Sequence, residues 1–422
     1  MKILFTSYGT RGDIQPFIAL GKGLKAAGHE VSICAAAGFR AFIEGHGLHY
    51  SYMDNTVLEL SQAVLGDVST FEAIKIAGQI AKAMRSSFDD EWEAAQEFQP
   101  DLMIHPKYIA SHHIAEKLNI PNIISIPLPF YTATDAFPVP FFAGLPKRFN
   151  RFSYLMNPLS GLGYASSIND FRVKTLKLAK INPFNNLLKR VDGSLIPILY
   201  PYSPSLLPVP EDFPPHVHVT GYWFLEPQAD WQPAPELAHF LENESPPVYI
   251  GFGSMGAKGA EKRARIILEA LQKSGQRGLL ARGWGGLQAE DLPSNMLMLD
   301  EVPHDWLFPR VAAVVHHGGA GTTAAGLRAG KPTITCPFLG DQPFWGKLVY
   351  ERGLGPKPIP QGKLTAERLA DAIQVAVRDE HIIQQAASMG EKIRAEDGIT
   401  CALDIISTIM LTNNLSREVN SN

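Results

Sequence analysis

The chain alternates twice between short apolar runs and longer amphipathic stretches, and this alternation restricts its fold more than any other feature. The first block begins with "KILFTSY", "IQPFIALGKGLKAAG" and "HEVSICAA", and the second with "VYIGF", "EKRARIILEALQKSG" and "RGLLARG". Short apolar runs bounded by turn residues indicate buried strands, and apolar residues at helical spacing indicate helices. The sequence therefore predicts an α/β protein built from parallel, doubly wound sheets with right-handed crossovers.

Two changes in residue composition divide the chain. Prolines and aromatics crowd together over residues 127–215 without clear periodicity, which is typical of an irregular, functionally specialised insertion. The later stretch "LEPQADWQPAPE" is typical of a linker. We predict an N-terminal domain over 1–224, a linker over 225–239, a C-terminal domain over 240–398, and a helix and tail over 399–422 that pack back toward the first domain. Two Rossmann-like domains would face each other across a cleft, where ligands of open α/β sheets bind.

Composition excludes several classes of function. The net charge of −4 over 422 residues gives no global field that favours nucleic acid or anionic membranes. Cys34, Cys336 and Cys401 form no CxxC motif, which argues against a disulfide framework or a zinc site and fits a reducing compartment. No apolar run has the length of a spanning helix or the form of a signal peptide. We expect a soluble, cytoplasmic protein that does not bind nucleic acid.

The second block contains a glycine-rich turn in "AAVVHHGGAGTTAAGLRAG". Small residues let backbone approach a ligand, and a helix N-terminus offers free N–H groups and a positive dipole that favour a phosphate or diphosphate. Thr322 and Thr323 are suited to cap the helix or to add hydroxyl donors. A tight strand–helix turn with small residues for packing is the alternative. The pattern is neither a Walker A loop nor a GxGxxG fingerprint.

Two carboxylates follow strands at the predicted cleft. Asp13, in "GTRGDIQPF", stands at a helix start, where it can cap the helix, be a carboxylate aimed into a site, or do both. Asp341 and Gln342, in "FLGDQPFWG", follow a strand beside the glycine-rich turn. A carboxylate and an amide side by side can each hold two hydroxyls of a sugar, although a solvated loop start is the alternative.

The segment "VPHDWLFPRVAAVVHHGGAGTTAAGLRAGKPTITCPFLGDQPFWG" resembles the nucleotide-sugar signature of UDP-glycosyltransferases with the two-domain GT-B fold. Among these it is most similar to sterol 3-β-glucosyltransferases, with the macrolide and glycopeptide-antibiotic enzymes as near relatives. "GTRGDIQPFIALGKGLKAAGHEV" is similar to their amino-terminal motif. The resemblance implies inverting transfer of a sugar, favouring glucose from UDP-glucose, to a hydroxyl of a sterol, terpenoid or other lipid. It implies no tightly bound cofactor and no metal, and the chain has no DxD motif.

The resemblance also implies roles for particular residues. Asp13 matches the catalytic base, and His316 matches the histidine that contacts the donor diphosphate. Plant relatives stack a tryptophan on uracil where this chain has Glu301, so Trp284 is our candidate for base stacking. The other donor-binding residues implied are Thr10, Arg11, Ser254, Val302, His304, Gly319, Ala320, Gly321, Thr322, Thr323, Asp341 and Gln342.

The aromatic, proline-rich region is where we expect the acceptor. Residues suited to line an apolar slot are Phe130, Tyr131, Phe137, Phe141 and Phe142. Ordinary packing of an irregular layer is the equal alternative, because aromatic side chains bury large areas anywhere. The adjacent basic segment "PKRFNR" is suited to peripheral contact with a membrane surface, although such clusters are more often solvated loops.

Three other functions remain open from the sequence. A nucleotide-sugar epimerase or an N-acetylglucosaminyl transferase would use the same fold. A nicotinamide-dependent dehydrogenase is disfavoured, because neither half has GxGxxG followed by an acidic ribose ligand. A non-catalytic lipid- or nucleotide-binding relative is weakly disfavoured by the presence of Asp13 with Asp341 and Gln342.

Overall fold

A computed structural model describes most of the chain. The described residues are 1–64, 70–106, 110–157, 161–182, 188–190, 192–227, 231–242, 245–252, 259–282 and 292–421.

Within the described part of the first half, seven parallel strands form one sheet in the order β3-β2-β1-β4-β5-β6-β7. The strands are β1 Lys2–Ser7, β2 Glu30–Ala36, β3 His49–Met53, β4 Leu102–His105, β5 Asn122–Ser125, β6 Ile198–Tyr200 and β7 Val217–Val219. The order reverses beside β1, which is a topological switch point where ligands of such sheets bind.

The helices of this half cover the two faces of the sheet. They are α1 Arg11–Ala26, α2 Arg40–Gly45, α3 Thr56–Val64, α4 Thr70–Phe98, α5 Ser111–Leu118, α6 Asn150–Ser153 and α7 Ala165–Phe171. Short 3₁₀ turns at Pro140–Phe142 and Lys147–Phe149 precede α6, and a π-helical turn at Arg172–Leu176 follows α7.

The second half forms a separate parallel sheet, which has five strands in the described residues. Its order is β10-β9-β8-β11-β12, with β8 Val248–Gly251, β9 Gly278–Ala281, β10 Met296–Leu299, β11 Ala313–His316 and β12 Thr333–Thr335. The helices are α8 Pro235–Glu242, α9 Ala260–Ser274, α10 His304–Leu307, α11 Ala320–Arg328, α12 Gln342–Glu351, α13 Ala366–Arg378, α14 Glu380–Ala395 and α15 Gly398–Ser421.

Strand β1 and helix α1 show how the sequence pattern produces the first fold unit. All but the first residue of "KILFTS" is buried, because a central parallel strand is covered on both faces. Helix α1 turns Ile14, Phe17 and Ile18 toward the same hydrophobic cluster as Phe5. The chain then reverses at Gly28, whose φ of 84° favours glycine. This short β1–α1 turn fixes where residues 8–13 emerge from the sheet.

Contacts between the halves fix the two sheets relative to each other. Helix α15 returns to the first domain, where Ala402 and Ile406 join the hydrophobic cluster beneath α1. The Trp223 indole N–H donates to the Gly398 carbonyl at 3.1 Å. On the other side, the rings of Phe137 and Phe344 lie 5.8 Å apart within a cluster that both domains share.

The region over 127–215 contains more regular structure than the sequence indicated. Strand β6 pairs with β5 and β7, so part of this region belongs to the sheet itself. No helix in the described ranges combines the length and the apolar character required to cross a bilayer.

Candidate active site

The turn between β1 and α1 holds Asp13 at one edge of the cleft. Thr10 is the residue before the helix, and its backbone N–H donates to Asp13 Oδ2 at 2.8 Å. The Thr10 hydroxyl donates to the same oxygen at 3.3 Å. Oδ1 has no hydrogen-bond partner among the described residues. Asp13 therefore caps the helix with one oxygen and keeps the second oxygen for other chemistry.

The surroundings of Asp13 make its carboxylate more basic. Burial raises the pKa of Asp13 above its ordinary value, although the hydrogen bonds from Thr10 act in the opposite direction. Gly9 is required at this point, because a Cβ there would lie 2.1 Å from Asp13 Oδ2. The backbone thus packs directly against the carboxylate and fixes its orientation.

A buried acidic network lies behind this turn. Glu91 of α4 is fully buried and accepts hydrogen bonds from the hydroxyls of Tyr8 and Ser111. Burial raises the pKa of Glu91 to about 7. Tyr8 is the residue between β1 and Gly9, so this network ties the start of the β1–α1 turn to the core of the domain.

The glycine-rich turn of the second domain begins at His316, the last residue of β11. Its side chain is buried, and the Gly318 backbone N–H donates to His316 Nδ1 at 2.9 Å. Because Nδ1 accepts, the ring proton lies on Nε2. His316 Nε2 is buried and has no partner among the described residues. Burial holds the pKa of His316 well below its ordinary value, so the ring is a neutral N–H donor that lacks an acceptor.

The backbone around His316 permits the start of α11 to approach closely. Gly318 has a φ of 92°, and Gly319 is the residue before the helix. A Cβ on Gly319 would lie 2.4 Å from His317 Nε2, so any other residue there would displace the His317 ring. The first turn of α11 presents amides from Ala320, Gly321 and Thr322, which have no intrahelical acceptors.

Thr323 has a structural role within α11. It is buried, and its hydroxyl donates to the Gly319 carbonyl at 2.9 Å. The amides and Thr322, which is partly exposed, are thus better placed than Thr323 to meet a ligand.

Asp341 lies at the start of α12 and faces Asp13 from the other domain. The Trp345 indole N–H donates to Asp341 Oδ2 at 2.8 Å. Burial raises the pKa of Asp341 to about 6, with a further contribution from the negative charge of Asp13. The two predicted carboxylates therefore lie close enough to interact, although 328 positions separate them in the sequence.

Gln342 is buried, and its side-chain oxygen already accepts hydrogen bonds from the protein backbone. Oε1 accepts from the Phe338 N–H at 2.8 Å and from the Leu339 N–H at 3.3 Å. These bonds hold the loop before α12 in shape. Only the amide nitrogen of Gln342 is left to contact a sugar hydroxyl.

Arg11 bridges the cleft on the donor side. Its Nη1 lies 2.7 Å from Glu301 Oε2, and its guanidinium lies 4.5 Å from the centre of the Phe42 ring. His304 stacks on Phe308 at 4.3 Å between ring centroids. Burial, and then the charge of Arg11, lower the pKa of His304 to about 4, which keeps the imidazole neutral.

The remaining predicted donor residues divide into two groups. Val302 packs, partly buried, against the hydrophobic cluster under β10 and α10. Ser254 and Trp284 lie outside the described residues. The predicted roles of these three stay predictions.

The predicted acceptor residues separate into buried and exposed members. Phe130, Tyr131 and Phe137 are buried in the cluster that both domains share. Phe141 and Phe142 are exposed. Tyr131 also lines a cavity of about 310 Å³, together with Arg151, Leu188 and Asp212. Buried and exposed members still meet, because the Phe130 ring centroid lies 5.2 Å from those of both Tyr131 and Phe141. The acceptor role of the five aromatics stays a prediction.

Three residues of the site were missed from the sequence. Trp345 follows Asp341 by four positions in the same helix, and this i, i+4 spacing is a signal that could have identified it. Glu301 pairs with an arginine 290 positions away, and Glu91 lies 83 positions from Tyr8, so no local pattern connects either pair. No cluster of metal-ligating side chains occurs among the residues that the structure describes.

Two family comparisons cover the two sides of the cleft. Residues 3–137 match the glycosyltransferase family 28 N-terminal domain. Residues 285–402 match the C-terminal domain of erythromycin biosynthesis protein CIII-like proteins. These ranges include the turn that holds Asp13 and the turn that holds His316.

Solved structures of several glycosyltransferases have the same fold. The glycosyltransferase of kitacinnamycin superposes with a TM-score of 0.72 at 18% identity, covering 96% of this chain and 98% of that one. The spinosyn forosaminyltransferase gives 0.69 at 17% identity, covering 97% and 99%. Together with the family matches, the two-domain fold and its cleft define a glycosyltransferase of the GT-B class, which confirms the predicted fold class.

More similar relatives identify the family within that class. A sterol 3-beta-glucosyltransferase of Arabidopsis thaliana is 38% identical over 418 residues, covering 96% of this chain and 67% of the relative. One from Saccharomyces cerevisiae is 38% identical over 419 residues, covering 94% and 34%. The chain belongs to the sterol 3-beta-glucosyltransferase family. It spans about two thirds of the plant relative and one third of the yeast relative.

Proposed function

We propose that this chain transfers glucose from UDP-glucose to the hydroxyl of a sterol or a similarly apolar alcohol, with inversion at the anomeric carbon. The observation that carries the proposal is the pairing of two half-sites across the cleft. A carboxylate anchored through one oxygen faces a domain whose buried imidazole N–H lacks an acceptor. The names of the relatives supply the acceptor class and the sugar.

Asp13 acts as the general base. Its Oδ1 takes the proton of the acceptor hydroxyl as the hydroxyl oxygen forms a bond to the anomeric carbon. The raised pKa of Asp13 brings the carboxylate closer to the strength that proton abstraction requires. Because Oδ2 stays bonded to Thr10, the base keeps its orientation during the transfer.

The second domain stabilises the leaving group. The bond between the anomeric carbon and the diphosphate breaks as the new glycosidic bond forms, and UDP departs with the electron pair. His316 Nε2–H and the first amides of α11 donate to the diphosphate oxygens. This arrangement needs no metal, because preorganised N–H donors meet the charge that develops.

Asp341 holds the sugar. Trp345 fixes Oδ2, and the carboxylate accepts hydrogen bonds from two sugar hydroxyls, with the Gln342 amide nitrogen as a donor beside it. Thr10, Arg11 and His304 complete the donor side of the cleft.

The partners follow from this chemistry. They are a nucleotide sugar, used as a co-substrate rather than a bound cofactor, and an apolar acceptor that dissolves in membranes. We therefore place the enzyme in the cytoplasm with peripheral contact to a membrane surface.

A donor–acceptor screen tests the proposal. The full chain is incubated with UDP-glucose, other UDP-sugars and TDP-glucose against sterols and terpenols, and product mass and anomeric configuration are read out. We expect a β-glucoside of a sterol, formed with chelator present. An epimerase would instead convert the UDP-sugar without any acceptor. Failure to transfer from every donor, while UDP still binds, would show a non-catalytic relative.

A further inference from the structure

An exposed apolar surface lies next to the loop that carries Asp341. It lies on the segment from the 3₁₀ turn at Pro140–Phe142 through α6, and it continues onto the loop before α12. Its members are Phe141, Phe142, Phe149, Phe152, Leu155 and Leu339, and we call this set the entrance patch. Phe152 is 69% exposed and Leu155 is 54% exposed, although both are large apolar side chains. A contiguous group of this kind marks an interaction surface.

The patch adjoins the sugar-binding edge of the site. A Cβ on Gly340 would lie 3.5 Å from Phe141 Cε1, and Gly340 directly precedes Asp341. The Lys347 ammonium donates to the Ala143 carbonyl at 3.3 Å, which ties α12 to the same segment. An apolar phase that covers Phe141 therefore lies beside the loop that carries Asp341.

Basic side chains lie among the aromatic residues. Neither Lys147 nor Arg148 forms an ion pair with a carboxylate in the described residues. The Arg148 guanidinium lies 4.9 Å from the centre of the Phe149 ring. Arg151 is different, because Asp135 and Asp212 lie 3.3 and 2.9 Å from it and compensate its charge. Lys147 and Arg148 are thus two cations without a carboxylate partner in the described residues, and they lie among exposed phenylalanine side chains.

From this combination we infer that the entrance patch inserts into the surface of an anionic phospholipid bilayer, and that the acceptor enters the cleft directly from the lipid. Phenylalanine and leucine partition into the boundary between headgroups and acyl chains, while lysine and arginine contact lipid phosphates. The inference deepens the proposed function, since a bilayer-dissolved alcohol is the acceptor class proposed above. It also gives Phe141 and Phe142 a role at the entrance rather than in a closed slot.

Vesicle binding tests the patch without donor or acceptor, so its result does not depend on turnover. The full chain is sedimented with vesicles of phosphatidylcholine, alone or with phosphatidylserine. We expect binding only when phosphatidylserine is present. Phe149→Ser/Phe152→Ser should weaken partitioning at least about tenfold, because two apolar side chains no longer leave water. Lys147→Gln/Arg148→Gln should weaken it about fivefold for each charge removed.

Matched controls exist on the second domain. Val375→Ser/Ile383→Ser removes two exposed apolar side chains, and Lys262→Gln/Arg265→Gln removes two exposed charges. Both controls should bind vesicles as the unaltered chain does. Binding of the patch variants equal to that of the controls, or no binding of the unaltered chain to anionic vesicles, would overturn the inference.

A second measurement separates the patch from the chemistry. The patch variants should keep the hydrolysis of UDP-glucose and transfer to a detergent-dispersed sterol, but lose transfer to a sterol held in anionic vesicles. Equal losses on both forms of the acceptor would overturn delivery from the lipid. Absence of all transfer by the unaltered chain, with vesicle binding intact, would refute the proposed function and leave the docking surface standing.

Discussion

The two βα turns that face each other across the cleft have opposite electrostatic character. The turn after β1 carries a carboxylate whose pKa burial raises, and the turn after β11 carries a neutral imidazole and the amides of a helix start. In the proposed mechanism the first turn takes up a proton, and the second stabilises an anion. The first turn has Gly9 where a Cβ would collide with Asp13, and the second has Gly319 where a Cβ would collide with His317, the neighbour of His316. Equivalent positions in two similar folds thus acquire complementary chemistry from a few side chains.

The largest expected effect comes from removing the base in the first turn. Asp13→Asn should lower kcat by about 10²- to 10⁴-fold, because proton abstraction is lost. Asparagine can still accept from the Thr10 N–H, so α1 keeps its cap and the thermal midpoint should change little. UDP affinity, measured by calorimetry, should stay within about twofold, since the diphosphate binds the other turn. Near-normal kcat in this variant would rule out Asp13 as the base.

The next effect comes from the second turn. His316→Ala removes the Nε2–H donor and should weaken UDP binding about tenfold to a hundredfold, as expected for a hydrogen bond to a charged group. His239→Ala, which alters an exposed histidine on α8, is the control and should bind UDP normally. The Gly318 N–H also loses its acceptor, so a moderate fall in stability accompanies the loss. Unchanged UDP affinity would place the diphosphate elsewhere.

The second turn was more predictable from sequence than the acceptor region. The residues from His316 to Thr323 are contiguous, and their spacing alone fixes a strand, a tight turn and a helix start. Phe130 and Phe137 carry no periodicity, and their burial against Phe344 depends on how the domains meet. A composition-based argument cannot separate such packing from the exposure of Phe142.

Asp13 shows a second limit of sequence reasoning. The sequence allows Asp13 to be a cap, a catalyst or both, but it does not show which oxygen serves which role. In the structure only Oδ2 bonds Thr10. Strands β6 and β7 show a third limit. Each has three residues, which is too short for a period-two pattern, and their pairing depends on the strands beside them.

A smaller effect concerns stability and pH at Asp341. Its pKa is about 6 in the folded protein and about 3.8 in the unfolded chain, so the folded state binds the proton more tightly. The carboxylate therefore costs stability above pH 6, and this cost disappears as the pH falls below about 4. Asp341→Asn should raise the free energy of unfolding by on the order of 2 kcal/mol at pH 7.5. Urea unfolding at pH 7.5 and pH 4 measures the difference.

The same variant should lose sugar binding despite its higher stability. Its KM for UDP-glucose should rise, while its affinity for UDP alone should stay near normal. Asp379→Asn, which alters a helix-capping carboxylate remote from the cleft in sequence, is the control and should leave both the stability and the KM nearly unchanged, because asparagine caps a helix about as well as aspartate. If Asp341→Asn changes the free energy of unfolding by the same amount at pH 7.5 and at pH 4, the raised pKa of Asp341 is contradicted.

The smallest effect concerns the bridge between the turns. Arg11 and Glu301 lie 2.7 Å apart, but their side chains are 50% and 84% exposed, so solvent and salt screen the pair. Glu301→Gln should change the free energy of unfolding by less than about 1 kcal/mol, and the KM for UDP-glucose by less than about threefold. Raising the salt concentration should erase even that difference. A rise in the KM for UDP-glucose of more than tenfold that persists at high salt would instead make Glu301 a donor-binding residue. The complementary chemistry of the two turns would then extend to this exposed pair at the edge of the cleft.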